Sequence, residues 1–321
     1  MALNYRMKNI SNIPALGIAN NWPTRKQLIE WFDKTSPWSL EKAVSYNSRS
    51  DTQNIKSIPP HTAFGPAGAR LRFKAQALAL QGEQWEPHMR DALAYMMFGD
   101  QLNYFWHGQF RKLFPEHPQP LRSMNWELMV ETMAMAFVLG RVEEGVYQGY
   151  LTYAALNQAY QLQSSYEDRH RCGLAFMLRL FADWRGDVTH AWPAFATSEP
   201  IYESILGLWR TTDPKVLSPW LLAACDRHTH ESQPDTESIF YDFSSFPRMP
   251  LEILLLFSLR KALGLKNSRL RHPLMEAPFD YLPVPQTQYV PDELVLGTLV
   301  RVRADWPEFD KSVFFQEING N

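Results

Sequence analysis

The chain has little with which to cross-link itself: only 2 cysteines, Cys172 and Cys225, among 321 residues. Two thiols build neither a disulfide framework nor a four-thiolate zinc site. Each lies in an apolar, helix-like context, where a buried thiol in a reducing compartment is the ordinary state. Long apolar runs are also missing. The longest, such as Met133 to Leu139, fall far short of the roughly 20 residues a membrane span needs. Met1 to Gly17 holds no sustained apolar stretch ahead of a small-residue cleavage site. A soluble, cytoplasmic protein with no membrane partner is the expectation. There is no basic excess either: the formal net charge is −2, which argues against a polyanion binder and so against a nucleic-acid partner. Residues 1–160 carry 16 Lys+Arg against 13 Asp+Glu, and residues 161–321 carry 16 against 21. A solvated surface accounts for so mild a tilt.

Catalytic motifs are scarce as well. No GxSxG elbow is present, and Gly65-Pro66-Ala67-Gly68 fits neither a dinucleotide fingerprint nor a Walker loop. No carboxylate pair stands out, and nothing calls for a cofactor. His228-Thr229-His230-Glu231 is the best metal-ligand candidate. Residues two apart on a helix face different ways, however, and Pro234 stands where a zincin would continue its helix. The simpler reading is a solvated helix end whose histidines favour the C-terminal dipole, with no metal. Glu167-Asp168-Arg169-His170-Arg171 offers His170 for acid–base work, but acids followed by bases also suit a helix N-terminus. His107 reads as a half-buried histidine beside Trp106.

What the sequence has in quantity is apolar and aromatic surface, at 45% and 13% of residues, with 11 Trp. From Pro247 to Pro283 a Leu-rich block runs into a Pro-punctuated segment. Leu251 to Leu263 is apolar on nearly all sides and contains a single β-branched residue, so it reads as a central helix. Pro250 suits its first turn and Gly264 its left-handed cap. Upstream, Thr24 and Gln27 are spaced as a capping box, with Leu28, Trp31 and Phe32 as the stripe that follows. Ser36-Pro37 ends that helix, and a short one covers Leu40 to Tyr46. Residues 47–64 read as a connecting loop. Further helices are expected over Arg70 to Leu80, from Pro87 to about Leu113 with Gly99-Asp100 as a break or bend, and from Trp126 to Gly140. Others cover Val146 to Leu162, Leu174 to Gly186, a segment from Ser198-Pro200, and Ser218-Pro219 to about Thr229. Asp292 to Ala304 alternates like a strand at Val300 to Arg303, but helix is favoured. The expectation is an all-α protein of layered antiparallel helix pairs, solenoid-like or an irregular bundle. It forms one domain over residues 1–321, with 1–60 readable as a helical extension packed on 61–321.

Met249-Pro250-Leu251-Glu252-Ile253-Leu254, Leu263-Gly264-Leu265, His272-Pro273-Leu274 and Tyr281-Leu282-Pro283 together resemble the immunity 49 family of bacterial polymorphic-toxin immunity proteins. The resemblance implies a non-enzymatic inhibitor that binds a cognate toxin, such as a type VI secretion effector, and occludes its active site. Without a signal sequence, that toxin would act in the cytoplasm. Charge and loop position nominate Glu143, Glu144, Asp235, Glu237, Tyr241 and Asp242 as partner-binding residues, because Tyr and charged anchors dominate tight interfaces. Glu143 and Glu144 read equally as the acidic opening of a helix, and the aromatics of the 235–243 segment as a small core under a loop. Two alternatives stay open: a helical scaffold or regulatory binding module, and an all-α enzyme with a cleft collecting Glu167, His170 or the 226–231 cluster.

Overall fold

The computed structural model describes residues 16–34, 39–49, 58–116, 125–157, 171–187, 192–233 and 241–313. Among them are twelve α-helices, two short 3-10 helices and no strand. No helix of the described residues is long and apolar enough to cross a membrane. The chain divides into two compact units. One takes residues 1–28 and 165–284, and the other takes 29–164 and 285–321. α1 (Arg25–Lys34) runs across the division in sequence. It opens with the expected capping box: Thr24 N–H donates to Gln27 Oε1 at 2.9 Å and Gln27 N–H to Thr24 Oγ1 at 3.3 Å.

The larger unit, 29–164 with 285–321, holds α2 (Glu41–Ser48), α3 (Phe64–Gln81), α4 (Glu86–Leu113), α5 (Trp126–Val138), α6 (Val142–Asn157), α11 (Glu293–Asp305) and α12 (Phe309–Val313). Short connections join α3 to α4 and α5 to α6 as antiparallel neighbours, and α4 packs on α5, so the expected layered pairs are present. α3 begins six residues before Arg70, and the reason lies in its partner. A Cβ at Gly68 would meet Met96 Cγ at 2.6 Å and Ala92 O at 2.8 Å, while one at Gly99 would meet Gly65 N at 2.4 Å. The glycines are therefore the contact at which two helix backbones touch, not a loop. For the same reason α4 passes through Gly99-Asp100 without interruption. Phe64, Phe98, Leu102, Phe105, Trp306 and Phe309 form the aromatic heart of this unit. Asp292 caps α11 by accepting from Val295 N–H at 2.9 Å, so the alternating stretch is helical.

The other unit contains α7 (Cys172–Arg185), a 3-10 helix over Ala194–Thr197, α8 (Pro200–Leu208), α9 (Pro214–His230), α10 (Leu251–Ala262) and a 3-10 helix over Pro273–Met275. α10 packs on α7, and α8 on both α7 and α9. Leu251 to Phe257 are all buried, as a helix apolar on every side requires, and Gly264 takes a φ of 71° at the expected cap. α9 starts at Pro214 rather than Ser218. Asp213 caps it, accepting from Lys215 N–H at 3.0 Å, and Pro219 lies inside the helix. Both cysteines are buried thiols.

Candidate functional site

In the unit built on α7 to α10, chemistry-bearing side chains gather in two places. The first surrounds α9 and lies inside. His228, read from sequence as a solvated helix end, is fully buried, because α9 turns that face onto α10 and the 241–249 turns. Its Nε2 lies 3.1 Å from Phe246 O, an oxygen that can only accept, so Nε2 carries a proton. Nδ1 sits 3.0 Å from the carboxylate of buried Glu252, and the Phe243 ring stacks on the imidazole at 4.2 Å between centroids. Both ring nitrogens are thus committed within the fold.

Around this pair are further ionisable groups. Arg227 bonds Glu199 at 2.9 Å and reaches Glu231 at 3.5 Å. Burial opposes the Arg227 charge, but Tyr202, Glu231, Glu199 and Asp242 outweigh it and raise its pKa. Tyr202 stacks on Phe176, its hydroxyl has no hydrogen-bond partner among the described residues, and burial pushes its pKa well up. Asp242, nominated as a contact for a partner, is instead an interior group, 2% exposed. Its Oδ2 accepts from Gly173 N–H at 2.7 Å, capping the first turn of α7 from 69 residues away in sequence. Burial and then the Glu231 charge drive its pKa well above the usual carboxylate range. A side chain at position 173 would strike Phe243 Cζ at 2.5 Å and Asp242 Oδ2 at 3.1 Å. Nothing local in the sequence marks Gly173 for this role.

Glu143 and Glu144 open α6, in the other unit. Glu143 is exposed, whereas Glu144 accepts a close hydrogen bond from Arg141. Tyr241 is half-buried beside Asp242. Asp235 and Glu237, like Glu167 and His170, lie outside the described residues. His272 is half-buried, its Nε2 3.2 Å from Asp226 Oδ1, and burial lowers its pKa. Among the described residues no group of three or more His, Cys, Asp or Glu is placed to hold a metal ion.

The second place is a surface pocket of about 560 Å³ beyond the C-terminal end of α10, lined by Phe257, Lys261, Asn267, Ser268, Arg269, Asp280, Tyr281 and Leu282. Its rear wall is locked. Buried Arg260 donates to the carbonyls of Trp209 and Thr211 and to Lys266 O, and its Nε reaches Asn267 Oδ1 at 3.1 Å. Asn267 Nδ2 then donates to Phe257 O at 2.9 Å, and Ser268 Oγ to Pro214 O at 2.8 Å. Compared with family models, with curated proteins and with solved structures, the chain matches none. The pocket and the buried cluster are therefore read on their own geometry. The sequence signal for both was the Leu-rich block, whose helix carries the buried charges Glu252 and Arg260.

Proposed function

We propose that this chain is a non-enzymatic, protein-binding inhibitor that neutralises a cognate toxin by covering its active site in the cytoplasm. The observation that carries the reading is the division of labour in the 247–284 stretch, which also holds the family resemblance. Leu251 to Phe257 and Leu274 are buried and hold the stretch in place, while Leu263, Tyr281 and Val284 stand exposed at 41%, 61% and 74%. Large apolar and aromatic side chains presented on a rigid base suit an interface whose anchors desolvate against a partner. The histidines of α9 support the same reading, since His228 is spent on internal bonding rather than offered to a substrate. Occupancy of a standard-sized interface, not turnover, would deliver the inhibition.

The test is growth of cells expressing the partner toxin with and without this chain. Protection is expected from the intact chain, together with a loss of protection in Tyr281→Ala and Leu263→Asp variants that retain the native circular dichroism and melting temperature. Equal protection by both variants would remove this surface from the interface, and absence of protection by the intact chain would remove the function.

A further inference from the structure

We propose that the pocket beyond α10 is a receptor for an α-carboxylate that carries an adjacent N–H donor and an apolar or aromatic side group. Its lining residues fall into two sets. Asn267 and Ser268 are consumed by the hydrogen bonds that hold the wall. Lys261 and Arg269 are exposed, and neither side chain makes a hydrogen bond or an ion pair with the described residues. The carbonyls at the end of α10 do not occupy these cations, because Leu263, Gly264 and Leu265 N–H groups cap them. Two cations with no ion-pair partner among the described residues, held over a prearranged wall, suit a carboxylate, to which charge-assisted hydrogen bonds are short and strong.

Asp280 lines the same pocket, half-buried, and its side chain makes no hydrogen bond or ion pair with the described residues. A carboxylate left this way calls for an N–H group beside the ligand's own carboxylate. Phe257, Leu282 and the exposed Tyr281 ring supply apolar surface for a side group. The volume, about 560 Å³, lies within the range of small-ligand sites. An amino-acid terminus combines all three features, and it has two sources: a free amino acid, whose ammonium would face Asp280, or the C-terminus of a peptide, whose last amide would.

Calorimetric titration of the full chain with L-phenylalanine, with N-acetyl-alanyl-phenylalanine and with the C-terminal amide of each tests this directly. Saturable binding of at least one acid is expected, with about tenfold or greater weakening on amidation and in Lys261→Gln and Arg269→Gln. Tighter binding of the free amino acid, with the preference erased in Asp280→Asn, assigns the site to free amino acids. Tighter binding of the acetylated dipeptide assigns it to chain termini. All three substitutions sit at or near the surface, and unchanged melting curves certify the variants. No saturation up to about 10 mM, or equal binding of acid and amide, or binding unchanged in both cation variants, overturns the proposal. It stands apart from toxin neutralisation: a failed titration leaves that reading intact, and a failed growth assay leaves this one intact.

Discussion

The two units solve the problem of buried charge differently. In the unit of α2 to α6, α11 and α12, buried polar groups tie one helix to another. Arg72 meets Glu131 at 2.6 Å between α3 and α5, and Asp100 on α4 accepts from Gln148 on α6 at 2.6 Å. In the unit of α7 to α10 the buried groups are a connected set, with His228–Glu252, Arg227 with Glu199 and Glu231, Tyr202 and Asp242 influencing one another. These contacts bind helix to helix. The connected set fastens distant loops onto helix ends, as Asp242 does at Gly173. The first arrangement makes a scaffold and the second shapes a surface, because the segments it fixes lead into and out of α10.

Removing one partner from each kind of site should separate them most clearly. Glu131→Ala leaves the buried Arg72 guanidinium without its carboxylate, and a guanidinium cannot shed its charge, so a loss of about 3–5 kcal/mol is expected. Glu252→Ala leaves one buried imidazole nitrogen without its partner while the other keeps Phe246 O, and a smaller loss of about 1–3 kcal/mol is expected. Urea unfolding of the two variants decides the order, and a reversed order would break the contrast.

A smaller effect, with a sign as its test, lies along α4. Gly99→Ala puts a methyl 2.4 Å from the Gly65 backbone nitrogen and should destabilise by about 1–3 kcal/mol. Gly108→Ala in the same helix meets nothing within 4 Å and should stabilise by up to about 1 kcal/mol. Thermal melts that move in the same direction for both would refute the close approach of α3 and α4.

A further prediction depends on pH. Burial raises the Asp100 pKa from 3.8 to about 8. The folded chain therefore keeps a proton that the unfolded chain releases near its ordinary value. Stability contributed by this site is complete below that ordinary value and declines as pH rises toward 8. Asp100→Asn should flatten the decline, stabilising by about 1 kcal/mol or more at pH 8 and little at pH 4. Melting temperatures across that window measure it, and parallel wild-type and variant curves would contradict it.

Local signals in the sequence carried over where the interaction that fixes a residue is itself local. The Thr24–Gln27 box, the Gly264 cap and the all-round apolar α10 each depend on neighbours within a turn or two. Gly99 misled because a glycine needed for close approach looks like one that breaks or bends a helix until its partner helix is placed. Ser218-Pro219 resembles a helix start, yet Asp213 outcompetes it by capping one turn earlier. His228 and Asp242 were unreadable for a different reason. A polar residue near a helix end is ordinarily solvated, and only Glu252, Phe246 and Gly173, all at least 18 positions away, draw these two inside.

Affinity capture of the tagged chain from the organism that encodes it, with a salt wash and mass spectrometry of what remains, tests toxin neutralisation most directly. The expected result is a stoichiometric partner that kills when expressed alone and is harmless alongside this chain. A chain recovered without a partner from cells that make the neighbouring gene product, or a partner without toxicity, would contradict it.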